Sequence, residues 1–443
     1  MGDEFNLLKL RARARAVARR NSDGLWRFNP FRQIVWDEPT RPSPSLPREL
    51  SRSDDSIERG FDGEGNTERK PFTVANQIQR VFFGAWINVL LLCAPAGITL
   101  HAVLGDHVAT FVVNMIALVP LNFMVDLSLR EISLRLGNVL GGLLSTSTSN
   151  FVQLVSSIIL LKSHQAKLIQ TSLAGGILVN ILFILGLSIL CGGSARRCQY
   201  FTLEVAHTSA NVLSLAATSI LIPTASLLLS QTTEDYVVKQ SRGASFVLMA
   251  VYASFLVYQF KTHSSLFKQE SEKVPSSFRL SPSKDAIATG ISRVGAEPAL
   301  LRGSVIPALA FPVAIATFVG FSALLAVCVD FAVGSINSLS TQGNLSSTFI
   351  GLILLPIPNC EFTTTTYALD DTMNIVMTFT IVKCLQTALF VMPLSVLLGW
   401  GLGVNEVTLV FSGFEVVSLF AAVVLLNFLL TEGKVTWYDP IPY

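Results

Sequence analysis

Apolar and polar positions along this chain fall into long blocks, not into the short alternation of a half-buried strand. From Val81 onward, uninterrupted apolar stretches recur at about the 20-residue length that crosses a hydrocarbon core ~30 Å thick. They predict ten helical spans, at 81–104, 107–127, 137–161, 166–190, 203–230, 243–260, 304–335, 347–367, 373–400 and 405–430. Lipid offers no hydrogen-bond partner, so each span has to satisfy its backbone internally, and helix is the expectation throughout. The organisation that follows is a polar tail (1–80), a first membrane half (81–260), a loop that is the longest internal gap (261–303) and a second membrane half (304–443).

Composition agrees. Of 443 residues, 51% are hydrophobic and 14% charged, where a soluble globular chain has roughly 25% charged residues; mean hydropathy is +0.54. An ordinary cytosolic enzyme, a disordered protein and a disulfide scaffold are excluded. Cys93, Cys191, Cys198, Cys328, Cys360 and Cys384 show no metal or redox spacing and read as small buried hydrophobes. No phosphate loop, zinc spacing or hydrolase elbow is present, so the chain reads as something other than an enzyme. Nearly half of the basic groups lie in the tail, where RARARAVARR (11–20) precedes the Pro/Ser-rich PTRPSPSLPR (39–48). This predicts a disordered, solvated tail, with a basic cluster that could also meet anionic headgroups. The net charge of +2 gives no sign of a nucleic-acid partner. Arg130, Arg135, Arg196, Arg197 and the basic residues of 261–303 share one side if the N-terminus is cytosolic, as the positive-inside rule prefers.

Polar groups at mid-span carry the chemical information, because an ionisable side chain at the bilayer centre costs ~2.5–3.5 kcal/mol on insertion scales. In LGGLLSTSTSNFVQLV (140–155), the polar run Ser145–Asn150 interrupts an apolar span, and Thr146, Asn150 and Gln153 share a helix face. Packing glue between helices is the competing explanation. In LLPIPNCEFTTTT (354–366), Pro356 and Pro358 break a helix just ahead of Glu361. One broken span in each half of a chain points to a transport site at the midplane. Lys383 lies ten residues into its span, ~15 Å deep. It either pairs with Glu361, the nearest acid by depth, or snorkels to the interface. Glu204, His207, Asn211 and Ser214 form a polar stripe on the fifth span, readable as a proton relay or as a plain helix face. A weaker stripe, Ser172, Gly176 and Asn180, reads as a packing face.

The segments around both interruptions resemble the vacuolar cation/proton exchanger family of the cation/calcium exchanger superfamily. The likeness runs through 118–193 in the first half. In the second it runs through STFIGLILLPI (347–357), LQTALFVMPLSVLLGWGLG (385–403) and EGKVTW (432–437). It implies an all-α polytopic fold of two inverted five-helix repeats preceded by one extra helix. It implies exchange of cytosolic Ca²⁺ for vacuolar H⁺ by alternating access, with those ions as cargo and no permanently bound cofactor. It also implies one acidic residue per repeat after a Gly-Asn turn. The sequence departs from that pattern. Ser149-Asn150 stands for the first Gly-Asn pair and Gln153 for the first Glu. The second motif is about three residues short, so Glu361 aligns with the family Glu or with the adjacent His. Lys383 replaces a small residue, and the family's last helix is expected to be absent.

The expected site comprises Glu361, Asn150, Gln153, Asn359 and Thr146, with Gln153 and Asn359 as neutral oxygen donors, Lys383 as a charge partner and Glu204–His207 as a relay. With Glu361 as its only strong anion and Lys383 opposite, the site would be near neutral. The resemblance implies Ca²⁺/H⁺ antiport, and the near-neutral charge leaves two alternatives, a non-transporting relative or an exchanger shifted towards monovalent cations.

Overall fold

The computed structural model describes residues 86–136, 138–196, 198–230, 233–264, 266 and 309–436. The expected tail and nearly all of the 261–303 loop lie outside the described residues. What is described is almost entirely helical.

A 3₁₀ lead-in, Trp86–Leu92, runs into α1 (Cys93–Leu104). Then come α2 (Val108–Ser133), α3 (Asn138–Thr148), α4 (Phe151–Lys162) and α5 (Ala166–Leu178). A π-helical turn, Val179–Ile184, joins α5 to α6 (Leu185–Ala195), and α7 (Leu203–Ser230) and α8 (Glu234–Val257) complete the first half. The second half holds α9 (Phe311–Gly334), α10 (Ile336–Gln342), the short apolar segment Ser347–Asn359 and α11 (Thr363–Leu369). After these, α12 (Met373–Gln386) continues through a π turn, Thr387–Val391, into α13 (Met392–Gly401), and α14 (Gly413–Leu429) follows. Two short strands, β1 (Cys198–Tyr200) and β2 (Lys434–Thr436), pair antiparallel with Gln199 opposite Val435.

The described residues do not form ten equal spans. Among the described residues, seven helices are long and apolar enough to cross a membrane. α3 and α4 make an eighth crossing bent by 51°, and Ser347–Asn359 and Gly413–Leu429 are shorter. The break expected at Pro356 and Pro358 is present: the 347–367 segment leaves the helix at the prolines, passes through a 3₁₀ turn (Ile357–Asn359), extends at Cys360 and restarts at Thr363. The second span is longer than 107–127, because the charges that end the sequence pattern find partners inside the fold. Glu131 is buried and its Oε2 accepts the Leu309 backbone N–H at 3.2 Å, so α2 continues to Ser133. The sixth span starts earlier than 243. Arg242 is kept in the helix by donating to Asn405 Oδ1 at 2.8 Å and lying 5.0 Å over the Trp400 ring.

The two halves repeat one another. A long helix (α2, α9) is followed by a broken span (α3–α4; Ser347–Leu369) and then by a span with a central π turn (Ala166–Ser194; Met373–Gly401). Each member's counterpart is the fifth segment after it, and an odd displacement inverts direction through the membrane. α2 and α9 pack lengthwise, with Ser128 Oγ donating to Thr317 Oγ1 at 3.0 Å. Each π-turn span packs against the broken span of the other half, and small residues allow it. A Cβ at Gly175 would overlap the Leu352 carbonyl oxygen, and one at Gly351 would sit 2.9 Å from Thr171 Cγ2.

Candidate functional site

The chain breaks where the sequence is least able to hold a helix. In the first half, α3 ends at Thr148, and Asn150 takes φ −107°, ψ 26° before α4 begins. Ser149 turns its hydroxyl back to the Thr146 carbonyl at 2.9 Å, a local bond that competes with helix continuation. Thr146, Asn150 and Gln153 therefore do not share one continuous helix face. They flank a bend, with Asn150 and Gln153 on its far side. In the second half, Pro356 and Pro358 lack N–H donors, the chain extends at Cys360, and the carbonyls just before it find partners on other helices. Asn122 Nδ2 of α2 donates to Pro358 O at 3.4 Å, and Lys383 Nζ of α12 donates to Asn359 O at 2.6 Å.

These bonds bring the two breaks together. Asn359 Nδ2 lies 3.4 Å from both Asn150 Oδ1 and Gln153 Oε1. Asn150 Nδ2 donates to the Lys383 carbonyl at 3.2 Å and to Gln386 Oε1 at 3.3 Å, and the Ser149 hydroxyl also bonds Gln386 Oε1. Gln153 is held further by Thr387, whose hydroxyl donates to Oε1 at 3.1 Å, and through its own Nε2 to Ser172 O at 3.4 Å. The Ser172–Gly176–Asn180 stripe is the packing face that seats it: a Cβ at Gly176 would collide with Gln153 Nε2, and Asn180 Nδ2 bonds the Gly176 carbonyl at 2.7 Å. Asn150, Gln153, Asn359, Gln386 and Thr387 are all buried.

One side of this junction is charged. Lys383 is 2% exposed, and its Nζ lies 3.3 Å from Glu361 Oε1, whose side chain is 12% exposed. Thr363 Oγ1 donates to Glu361 Oε2 at 3.4 Å. The expected Glu361–Lys383 pair is thus present, and Lys383 does not snorkel. Burying an ion pair costs several kcal/mol of desolvation per ion and is repaid only with further hydrogen bonds. Lys383 finds one at the Asn359 carbonyl. Val179 and Ile184 of the first π turn pack against Cys360, with Phe362 alongside, which fixes the extended residues on either side of Glu361.

A residue that the sequence reading passed over joins the group. Asp126 of α2 is half-buried, within hydrogen-bonding reach of Glu361 and within Coulombic range of Lys383. A second carboxyl therefore stands beside Glu361, and the junction holds two carboxyls and one ammonium. Asp126 was passed over because the predicted span ended at 127, which put it at the membrane edge. The helix runs on to Ser133 and carries Asp126 inwards. No group of three or more His, Cys, Asp or Glu that could by itself hold a metal ion forms among the described residues.

The remaining expected residues lie apart. Thr146 contributes its carbonyl to Ser149. Glu204 is exposed in the first turn of α7 and His207 is half-buried, and no hydrogen bond or ion pair links either to the junction. Ser214 of the same stripe instead accepts from Asn427 Nδ2 of α14 at 2.9 Å.

Known proteins share this architecture and sequence. The sodium/calcium exchanger protein family model matches residues 107–261 and 313–441. A vacuolar calcium ion transporter of Schizosaccharomyces pombe is 28% identical over 376 residues, covering 83% of this chain and 84% of that protein. A Ca²⁺/H⁺ antiporter of Aphanothece halophytica is 30% identical over 363 residues, covering 81% and 92%. The solved structure of native YfkE superposes with a TM-score of 0.59 at 20% identity, over 78% of this chain and 92% of that one, so the fold is shared. The two broken spans meeting through Asn150, Gln153 and Asn359, the inverted order of the halves and the matched residues lead to one conclusion: this chain belongs to the sodium/calcium exchanger protein family.

Proposed function

We propose that the protein exchanges Ca²⁺ for H⁺ across a vacuolar membrane by alternating access, with its N-terminus cytosolic and its cargo taken at the junction of the two broken spans. The observation that carries this reading is the contact of Lys383 with Glu361 Oε1 and the Asn359 carbonyl. An ammonium already rests there on a carboxylate and a main-chain oxygen, so the junction is built to hold a cation. Ca²⁺ is a hard cation that takes ~6–8 oxygens, carboxylates foremost. Glu361 supplies the charge. Asn150, Gln153 and Asn359 supply neutral amide oxygens, and Thr146 steadies the first break through Ser149. Lys383 acts as a tethered occupant that withdraws when cargo arrives. A carboxyl that holds Ca²⁺ in one state and a proton in the other couples the two fluxes. The small residues at the crossings of the halves let them rock against each other around the site.

Vesicles containing the full-length protein, energised by a pH gradient, test this directly. The wild type is expected to take up Ca²⁺, and Glu361→Gln to abolish uptake. Uptake of Na⁺ or K⁺ without Ca²⁺ would make the protein a monovalent exchanger. A wild type silent towards Ca²⁺, Mn²⁺, Na⁺ and K⁺ would make it a non-transporting relative. Tag accessibility in intact vacuoles reports the side of the N-terminus.

A further inference from the structure

The inference concerns the acidic complement of the site and rests on the reading just given. We propose that Asp126, on a helix outside both broken spans, is the second acidic ligand of the transported cation and supplies the negative charge that a carboxamide at position 153 does not.

Placement is the first argument. Asn122 fixes the register of α2 against the second break by donating to Pro358 O at 3.4 Å. Asp126 follows four residues later, so it lies on the same helix face one turn along. That turn brings it to Glu361 and faces it to Lys383. Electrostatics is the second. Gln153 keeps an oxygen but no charge, so a divalent ion held by Glu361 alone would leave a net positive charge inside the membrane. Charges a few ångströms apart interact far more strongly there than in water. Two carboxylates cancel Ca²⁺ once Lys383 has withdrawn.

Two orphaned oxygens are the independent argument. Asn359 Oδ1 is buried without a hydrogen-bond partner, in a residue 3% exposed. Its orientation is set, because Nδ2 lies against two amide oxygens and the flipped amide would put oxygen on oxygen. Thr380 Oγ1, on the same face of α12 as Lys383 and one turn before it, is likewise buried and unpartnered. Buried polar atoms in folded proteins almost always have partners. Like the Asp126 and Glu361 carboxyls and the Asn359 carbonyl, these are oxygens, the hard donor chemistry that Ca²⁺ prefers and that zinc or copper does not.

A bland role exists: Asp126 could serve only as a counter-ion that keeps Lys383 folded into the protein. Uptake by the full-length protein in vesicles separates the two. As a ligand, Asp126→Asn raises the Ca²⁺ KM about tenfold, and the double variant Asp126→Asn, Lys383→Met stays about tenfold weaker than Lys383→Met alone. As a counter-ion only, the double variant matches Lys383→Met alone, and that result overturns the proposal. Asp126→Cys is the second probe, and it decides the matter if Asp126→Asn does not fold. A thiolate is a soft ligand, so Cd²⁺ should gain on Ca²⁺ by roughly an order of magnitude in uptake ratio, which a purely structural role would not produce. An unchanged ratio overturns the proposal. If Glu361→Gln abolishes uptake while Asp126→Asn leaves KM untouched, only this inference fails. If Glu361→Gln transports normally, the site itself lies elsewhere.

Discussion

The two broken spans are alike in construction and unlike in charge. Each is a helix interrupted near its middle, packed against a π-turn span of the opposite half through glycine and threonine contacts. At the first, every polar group that reaches the junction is neutral: Ser149, Asn150 and Gln153. At the second, Glu361 and Lys383 face each other, with Asp126 beside them. Geometry and electrostatics thus have different origins. Small residues and locally bonding hydroxyls make the bend, and either half can supply them. The charge sits only where there is a partner to receive it, and the neutral break serves the charged one by holding Asn359 and Lys383 in place.

The sharpest way to break this asymmetry is to neutralise its charged side. Glu361→Gln should reduce Ca²⁺ uptake by at least ~100-fold, because the variant leaves the Lys383 ammonium buried as well as removing a ligand. Monodisperse elution of the variant separates this from misfolding. Uptake within a fewfold of wild type would place the chemistry outside the second break.

The neutral break should respond to bulk, not to charge. Gly176→Ala puts a methyl group where Gln153 Nε2 now lies. Overpacking of this kind typically costs ~1–3 kcal/mol, and displacing Gln153 also loosens its contacts with Asn359 and Thr387. A lower melting temperature in detergent and a severalfold loss of uptake are expected. A variant with normal melting and normal uptake would mean that the seating of Gln153 does not matter.

Removing the tethered occupant sharpens the comparison from the other side. Lys383→Met keeps most of the side-chain length and removes the charge, so Ca²⁺ no longer competes with an ammonium for Glu361. The Ca²⁺ KM should fall severalfold. A rise would show that Lys383 assists cargo instead of standing in for it.

How far the sequence revealed these features follows the same division. Spans were legible because lipid enforces continuous apolar runs, and both breaks were legible because six polar residues or two prolines cannot continue such a run. The Glu361–Lys383 contact was legible from depth alone, since both lie near mid-span and each makes the other less costly. Asp126 was not, because a hydropathy pattern stops at the first cluster of charges, and only the tertiary bond from Leu309 to Glu131 shows that the helix goes on. The 51° bend of the first break was also hidden. Helical spacing put Thr146 on a face with Asn150 and Gln153, and that spacing loses its meaning once the helix bends between them.

The smallest effect belongs to the polar stripe on α7, and it asks whether the junction acts on its own. Glu204 is exposed and His207 half-buried, and the stripe's one bond across helices leads from Asn427 to Ser214, away from Lys383 and Glu361. A proton relay needs a chain of groups within hydrogen-bonding reach of one another. No such chain runs from Glu204 to the junction among the described residues. Glu204→Gln and His207→Gln should therefore change the pH-driven Ca²⁺ uptake rate by no more than about twofold, as surface substitutions away from a site usually do. A larger loss from either variant, with KM unchanged, would make the stripe a route for protons. The charged break would then handle the cation while α7 delivers the counter-flux, dividing between two helices what is argued above to be the work of one junction.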